Sequence, residues 1–359
     1  MSAVRRHAAA QRILSLRAVP HLDDITGKVV RLPQLLRSRP HNTLDRLGAY
    51  EDLAIEDLFP APAEVPVVRT ERRWRLPGVE SEDLIFDSLY EPIERHFREH
   101  YHRRKRRIQT VYARRIHPDN TSGRPRVLYI HGYMQPESLF EEVGLVTTMA
   151  RMLNVEIIQL QPPYHGRRKP RGSPYSGELY WTADVVRSVE AIRQTLFDAR
   201  TLLSVMQSEK DGPVGIAGLS LGGSLAAMLT CMESRFDFSA PIIGHMDMGA
   251  LLRDAPVLGA MRKDLAHFGW THEDFGKFFT KIGWDELKSV IPSERIMLLA
   301  ARDDHFFLSS IVERMWEQWG KPEIHWYPTS HMGFIPYVLG AVGHLRRFVD
   351  RLYPETTGP

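Results

Sequence analysis

The chain has 359 residues, 43% hydrophobic and 25% charged, with a formal net charge of +3. That length and apolar fraction suit one large buried core with room for an extra element, and the near balance of charge singles out no class of charged partner. No apolar run is long enough to span a bilayer, and the single cysteine, Cys231, excludes an intramolecular disulfide.

The first twenty residues, MSAVRRHAAAQRILSLRAVP, carry four arginines and no acid. Two readings stay open: a basic, loosely ordered N-terminus of a cytoplasmic protein, or a mitochondrial transit peptide. Residues 1–66 lack sustained periodicity and end near Pro60-Ala61-Pro62, so they read as a partly ordered arm joined to a body at 67–359. Val67 to Arg75 and Gln109 to Ile116 alternate apolar and polar as strands do. Between them Tyr90 to Arg107 reads as a helix with a basic end, HFREHYHRRKRR. Glu91, Glu94 and Glu99 accompany it, and no nucleic-acid module signature does, so it reads as a solvated helix end rather than a nucleic-acid surface.

Strand and helix alternate thereafter. Arg126 to His131, Val155 to Gln161, Pro213 to Ala217, Pro241 to Met246, Arg295 to Ala301 and Glu323 to Pro328 read as strands. Helices are expected over Pro136 to Leu153, Leu179 to Met206, Ser309 to Trp319 and Ile335 to Leu352. Repeated β-α units imply an α/β fold with a mostly parallel central sheet and helices on both faces. Residues 248–292 break the rhythm with several short aromatic-rich helical patterns, expected to form a small helical lid.

Within this frame, Gly218-Leu219-Ser220-Leu221-Gly222 follows an apolar strand and opens a helix, the setting of a nucleophile elbow. A serine hydroxyl is a weak nucleophile until a base takes its proton, so the motif demands a histidine and a carboxylate elsewhere. Thr329-Ser330-His331-Met332-Gly333-Phe334 lies between the last strand and the last helix, and makes His331 the candidate base over His305 and His325. Asp303 and Asp304 follow the RIMLLAA strand and Asp247 follows the strand before it, so all three are candidate acids.

These motifs, in this order, resemble serine esterases and lipases of the α/β-hydrolase superfamily from about Val67 to the C-terminus. The resemblance implies the α/β-hydrolase fold and the Ser220, Asp304, His331 triad. It also implies an oxyanion hole from the backbone amides of Tyr133, in His131-Gly132-Tyr133-Met134, and Leu221, with Met134 as the alternative donor and a substrate contact. The family's P-x-H-G-x-S segment has its counterpart at Pro162 to Pro170, where a cationic run replaces the small residue. Two roles stay open there: an anchor for the oxyanion segment, or an anion-binding site in which Arg167 and Arg168 touch substrate. The expected reaction is carboxylic ester hydrolysis through an acyl-enzyme on Ser220. The alternatives are thioesterase, amidase or acyltransferase chemistry on the same triad, a phospholipid-directed lipase, and a non-catalytic binder of the same fold. No cofactor and no metal is expected, since the serine mechanism needs neither. The expected partner is a small-molecule or lipid ester, with peripheral membrane contact as an option.

Overall fold

Residues 69–118 build an antiparallel half-sheet from β1 (Arg69–Leu76), β2 (Val79–Asp87) and β3 (Thr110–Pro118). The computed structural model describes residues 20–103, 107–119, 121, 123–136, 141–281 and 287–354. Pro77-Gly78 turns β1 into β2, with Gly78 at φ +77°, where only glycine is unstrained. The sequence reading passed over β2 because its acids hide its pattern. Asp83 is 2% exposed, a setting it tolerates because Arg114 (2.5 Å) and Arg167 (2.7 Å) donate to it.

The parallel half consists of β4 (Arg126–Ile130), β5 (Glu156–Leu160), β6 (Val214–Leu219), β7 (Phe238–Ile242), β8 (Met297–Ala301) and β9 (Glu323–Tyr327). Strand order is β1-β2-β3-β5-β4-β6-β7-β8-β9, with β3 antiparallel to β5 and parallel pairing beyond. After β5 the chain crosses back over β4 to lay down β6. That reversal opens a crevice at the carboxyl ends of β4 and β6, where ligands of open α/β sheets bind.

Helices cover both faces. Leu196 and Leu203 of α4 (Val185–Glu209) and Leu225 and Leu229 of α5 (Leu221–Met232) pack on one side. Met149 and Leu153 of α3 (Thr147–Leu153) and Leu345 and Phe348 of α10 (Val338–Leu352) pack on the other. The expected long helix starts at Val185, later than Leu179, because the Asp184 side chain accepts from Arg187 N–H and caps it there. The helix expected over 136–153 is α-helical only from Thr147, after a π-helical turn over Glu141–Val146; residues 137–140 lie outside the described residues. The basic segment forms α2 (Arg95–His102), where Arg95 pairs with Glu99 and His102 with Glu91; 104–106 lie outside the described residues.

Two charged groups of α4 tie the periphery to the core. Glu190 accepts from Tyr50 (2.7 Å) and from Tyr90, and Arg193 bonds both Glu190 and the Leu58 carbonyl. The arm before β1 is therefore fastened to the body. It begins with α1 (Pro20–Gln34), which packs on residues 256–258 and 332–337. The arginine-rich residues 1–19 lie outside the described residues.

Residues 248–281 form α6 (Met248–Asp254), α7 (Gly259–His267) and α8 (His272–Lys281). Their aromatics face inward. Phe275, Phe278 and Phe279 are buried against one another, with ring centroids 4.7 and 5.2 Å apart, and join the core that also holds α4 and α5. Among the described residues, no helix is long and apolar enough to cross a membrane.

Candidate active site

β6 ends in a turn that glycines alone can make. A Cβ on Gly218 would lie 2.1 Å from the Gly222 carbonyl oxygen, and one on Gly222 would lie 1.9 Å from that of Ile130. Ser220, between them, takes φ +58° and ψ −117°, a costly conformation for a residue with a side chain. Its amide donates to the Ile242 carbonyl (2.9 Å) and its carbonyl accepts from Ser224 (3.0 Å). The turn is thus held from the neighbouring strand and from the helix it starts.

Ser220 Oγ lies 2.9 Å from His331 Nε2, and His331 Nδ1 lies 2.8 Å from Asp304 Oδ2. The other Asp304 oxygen accepts from the amides of Phe306 and Phe307, both at 2.8 Å. This leaves one carboxylate edge for the imidazole and defines its tautomer. The Phe306 ring stacks on His331 at 4.5 Å. The alternative acids are elsewhere: Asp303 is exposed, and Asp247 caps α6 through Ala250 N–H and pairs with Arg314. His305 is bonded through its amide to Asp23, and His325 pairs with Glu323.

The segment after β4 passes beside the serine. A Cβ on Gly132 would be 3.5 Å from Ser220 Cβ, and Met134 has φ +63°. Leu221 is the first residue of α5, so its N–H has no intrahelical acceptor. His131 is buried with Nδ1 2.8 Å from the Gly132 carbonyl, and burial pushes its pKa down to about 4. Behind it His165, wholly buried, contacts the rings of His131, Tyr133 and Tyr180. Burial and the neighbouring His131 hold its pKa well below the ordinary imidazole value. Ser176 links Gly166 N–H to the Gln135 carbonyl. The Pro162 to Pro170 segment is therefore the backing of the loop carrying Tyr133.

A cavity of about 230 Å³ opens over Ser220. Tyr133, Met134, Leu221 and His331 line it together with Leu251, Val257 and Leu258 of the insertion and Thr26 and Val30 of α1. Arg167 and Arg168, expected at the substrate, do not line it. Arg167 pairs with Asp83 and lies 4.1 Å over the Tyr112 ring. Arg168 is fully buried, bonded to Asp198 (2.8 Å) and to the carbonyls of Gln161 and Ile108. The guanidinium is drawn inward by one acceptor on α4 and two loop carbonyls, and the run of cations in the sequence does not reveal them.

Sequence reasoning expected some short helix in the arm but gave α1 no place at the site. Thr26 and Val30 wall the cavity, and Asp23 accepts three backbone N–H bonds from the loops bearing Asp304 and His331. These partners stand 282 to 309 positions away, beyond any local pattern. Phe306 and Phe307 were also missed, although two adjacent phenylalanines two residues after a candidate acid were a readable sign of an apolar shelf.

The sheet order, the reversal at β4 and the site at the carboxyl ends of β4, β6, β8 and β9 are those of the α/β-hydrolase fold. Residues 78–250 match the model of the family described as alpha/beta hydrolase domain containing 18. Two curated Mycobacterium tuberculosis relatives, from strains H37Rv and CDC 1551 and both described as uncharacterized, are 30% identical over 196 residues. The match spans 51% of this chain and 43% of each relative, so less than half of their length is represented. Among solved structures, the acetyl xylan esterase of Paenibacillus sp. R4 superposes with a TM-score of 0.59 at 12% identity, over 88% of this chain and 98% of that one. Acetyl xylan esterase 1 of Thermoanaerobacterium sp. JW/SL YS485 gives 0.53 at 16% identity over the same shares. At such identities the likeness is one of fold.

Proposed function

We propose that the protein is a serine hydrolase that cleaves carboxylic esters. The observation that carries this reading is the hydrogen-bonded line from Ser220 through His331 to Asp304, at 2.9 and 2.8 Å. His331 Nε2 takes the Ser220 proton as Oγ attacks the carbonyl carbon, and Asp304 holds the imidazolium that results. The tetrahedral oxyanion is received by the amides of Tyr133 and Leu221, where one donor is worth about 3 kcal/mol of transition-state stabilisation. Collapse breaks the ester C–O bond, the leaving alkoxide takes the proton from His331, and water then repeats the sequence to release the acid and free Ser220. The acetyl xylan esterases that share the fold act on esters by name, which agrees with this reading.

The cavity, about 230 Å³, is smaller than the roughly 300–1,000 Å³ of drug-sized ligand pockets, and its walls are largely apolar. We therefore assign short acyl chains as the preferred substrates. A second reading, an ester presented at a lipid surface, is favoured by the outward face of α1. There Leu22, Ile25, Val29 and Leu32 are all exposed, and liposome binding that serine substitutions at these positions abolish would reveal it.

The test is fluorophosphonate labelling and turnover of p-nitrophenyl esters by wild type and Ser220→Ala. Labelling and turnover should vanish in the variant while its thermal transition stays in place; turnover that survives rejects the mechanism.

A further inference from the structure

The N-terminal helix α1 presents a buried carboxylate to the back of the site. Asp23 is 0% exposed. Its Oδ2 accepts from the amides of His305 and His331, both at 3.0 Å, and its Oδ1 from the amide of Met332 at 2.9 Å. Its charge is met by three backbone donors, an arrangement that stabilises a buried carboxylate. The donors come from two loops: His305 directly follows Asp304 after β8, and His331 and Met332 follow β9. One side chain from outside the sheet thus joins the loop of the acid to the loop of the base.

We propose that Asp23 is a positioning residue for the reaction and that α1 is a working part of the active site. The inference rests on the serine-hydrolase reading above. The Ser220–His331–Asp304 line is productive only while the two loops keep their spacing, and a misplacement of about 1 Å can cost ~100-fold in rate. Asp304 itself fixes its own loop through the Phe306 and Phe307 amides. Asp23 adds the tie between that loop and the backbone of His331, which the Asp304 carboxylate reaches only through the imidazole.

A second feature of α1 gives independent access to the tie. Gly27 sits against the 256–258 segment so closely that a Cβ would lie 2.5 Å from Pro256 Cβ and 3.1 Å from its carbonyl carbon. Leucine at 27 favours the helix but must push it outward, drawing the Asp23 carboxylate off the three amides without altering it. At the C-terminal end of the helix Gln34 donates to the Val257 carbonyl, and just beyond it Arg37 pairs with Asp264, so that end stays tethered when the helix is displaced near Gly27.

The experiment uses the full chain as wild type, Ser220→Ala, Asp23→Ala, Asp23→Asn, Gly27→Leu and Asp23→Ala/Gly27→Leu. Fluorophosphonate labelling rate, kcat and KM on a short p-nitrophenyl ester, and Tm are read for each. Asp23→Ala should label and turn over about 10- to 100-fold more slowly, with KM within about twofold and the main thermal transition retained. Asp23→Asn should fall between it and wild type, since its amide oxygen can still accept while its NH₂ opposes a donor. Gly27→Leu should reproduce the loss, and the double variant should add nothing to it. Wild-type labelling rate and kcat in folded Asp23→Ala, or a rise in KM at unchanged kcat, would overturn the proposal. Should Asp23→Ala not fold, Gly27→Leu decides: unaltered kcat there overturns it equally. An unlabelled wild type, or labelling that survives Ser220→Ala, rejects the serine mechanism itself and is thereby told apart from a failure of the Asp23 tie.

Discussion

Replacing Arg168 by methionine decides whether the cationic run after β5 serves the substrate or the core. The guanidinium is wholly buried and gives Asp198, itself wholly buried, its cationic partner at 2.8 Å. It also donates to the carbonyls of Gln161 (2.9 Å) and Ile108 (2.5 Å). Methionine fills similar space but leaves Asp198 with Ser88 Oγ as its remaining donor, and removes a donor from the Gln161 carbonyl and from the Ile108 carbonyl, which keeps Gln194. Burial already pushes the Asp198 carboxyl up, and Arg168 is the cation that opposes it. Breaking a buried pair from one side costs about 3–5 kcal/mol. With an unfolding entropy of ~2.1 cal/mol/K per residue, that lowers the Tm of a chain this long by about 5 °C. Adding Asp198→Asn should recover part of the loss by removing the stranded charge. The assay pairs calorimetry with kcat/KM on p-nitrophenyl acetate and on an anionic ester of similar size. An unchanged Tm together with a raised KM for the anionic ester alone would refute the reasoning and restore Arg168 to the substrate.

Further outcomes follow from the same geometry. Gly222→Ala would bring a methyl 1.9 Å from the Ile130 carbonyl oxygen; it should lose fluorophosphonate labelling and stability together, and labelling at the wild-type rate would show that the turn tolerates a side chain. Acid should destabilise the fold through histidines kept neutral by burial: His131 and His245, both pushed down to about 4, and His165, held well below its ordinary value. Unfolded, each titrates near ~6.5, so the unfolded chain binds more protons between about pH 4 and 6.5 and stability falls as pH drops through that window. The slope reaches ~1.4 kcal/mol per pH unit for each fully titrating histidine; a Tm flat from pH 7 to 5 would refute it. Cys231, 7% exposed and with its thiol pKa raised by burial, should resist thiol reagents until the protein unfolds, and rapid native alkylation would contradict its packing.

What the sequence alone determined is what local chemistry dictates. Runs such as RVLYIH, VEIIQLQ and RIMLLAA are apolar because strands buried on both faces must be, and β4, β5 and β8 lie within them. The glycines around Ser220 announce the turn because any side chain there meets backbone. His331 and the Asp303-Asp304 pair could be offered as candidates because each follows a readable strand. Boundaries and one strand escaped for equally physical reasons. Asp184 caps α4 through its own side chain, and β2 is filled with acids neutralised by arginines from β3 and from the loop after β5. Only the tertiary structure decided which of several like residues serve which purpose. Arg167 and Arg168 belong to one run of cations in the sequence, yet in space they pair with Asp83 and Asp198. Asp23 is an unremarkable acid in an arm without clear periodicity, yet three amides nearly three hundred residues away converge on it. Spacing along the chain encodes the elements; partners for buried charge are chosen by proximity in three dimensions, which no local pattern records.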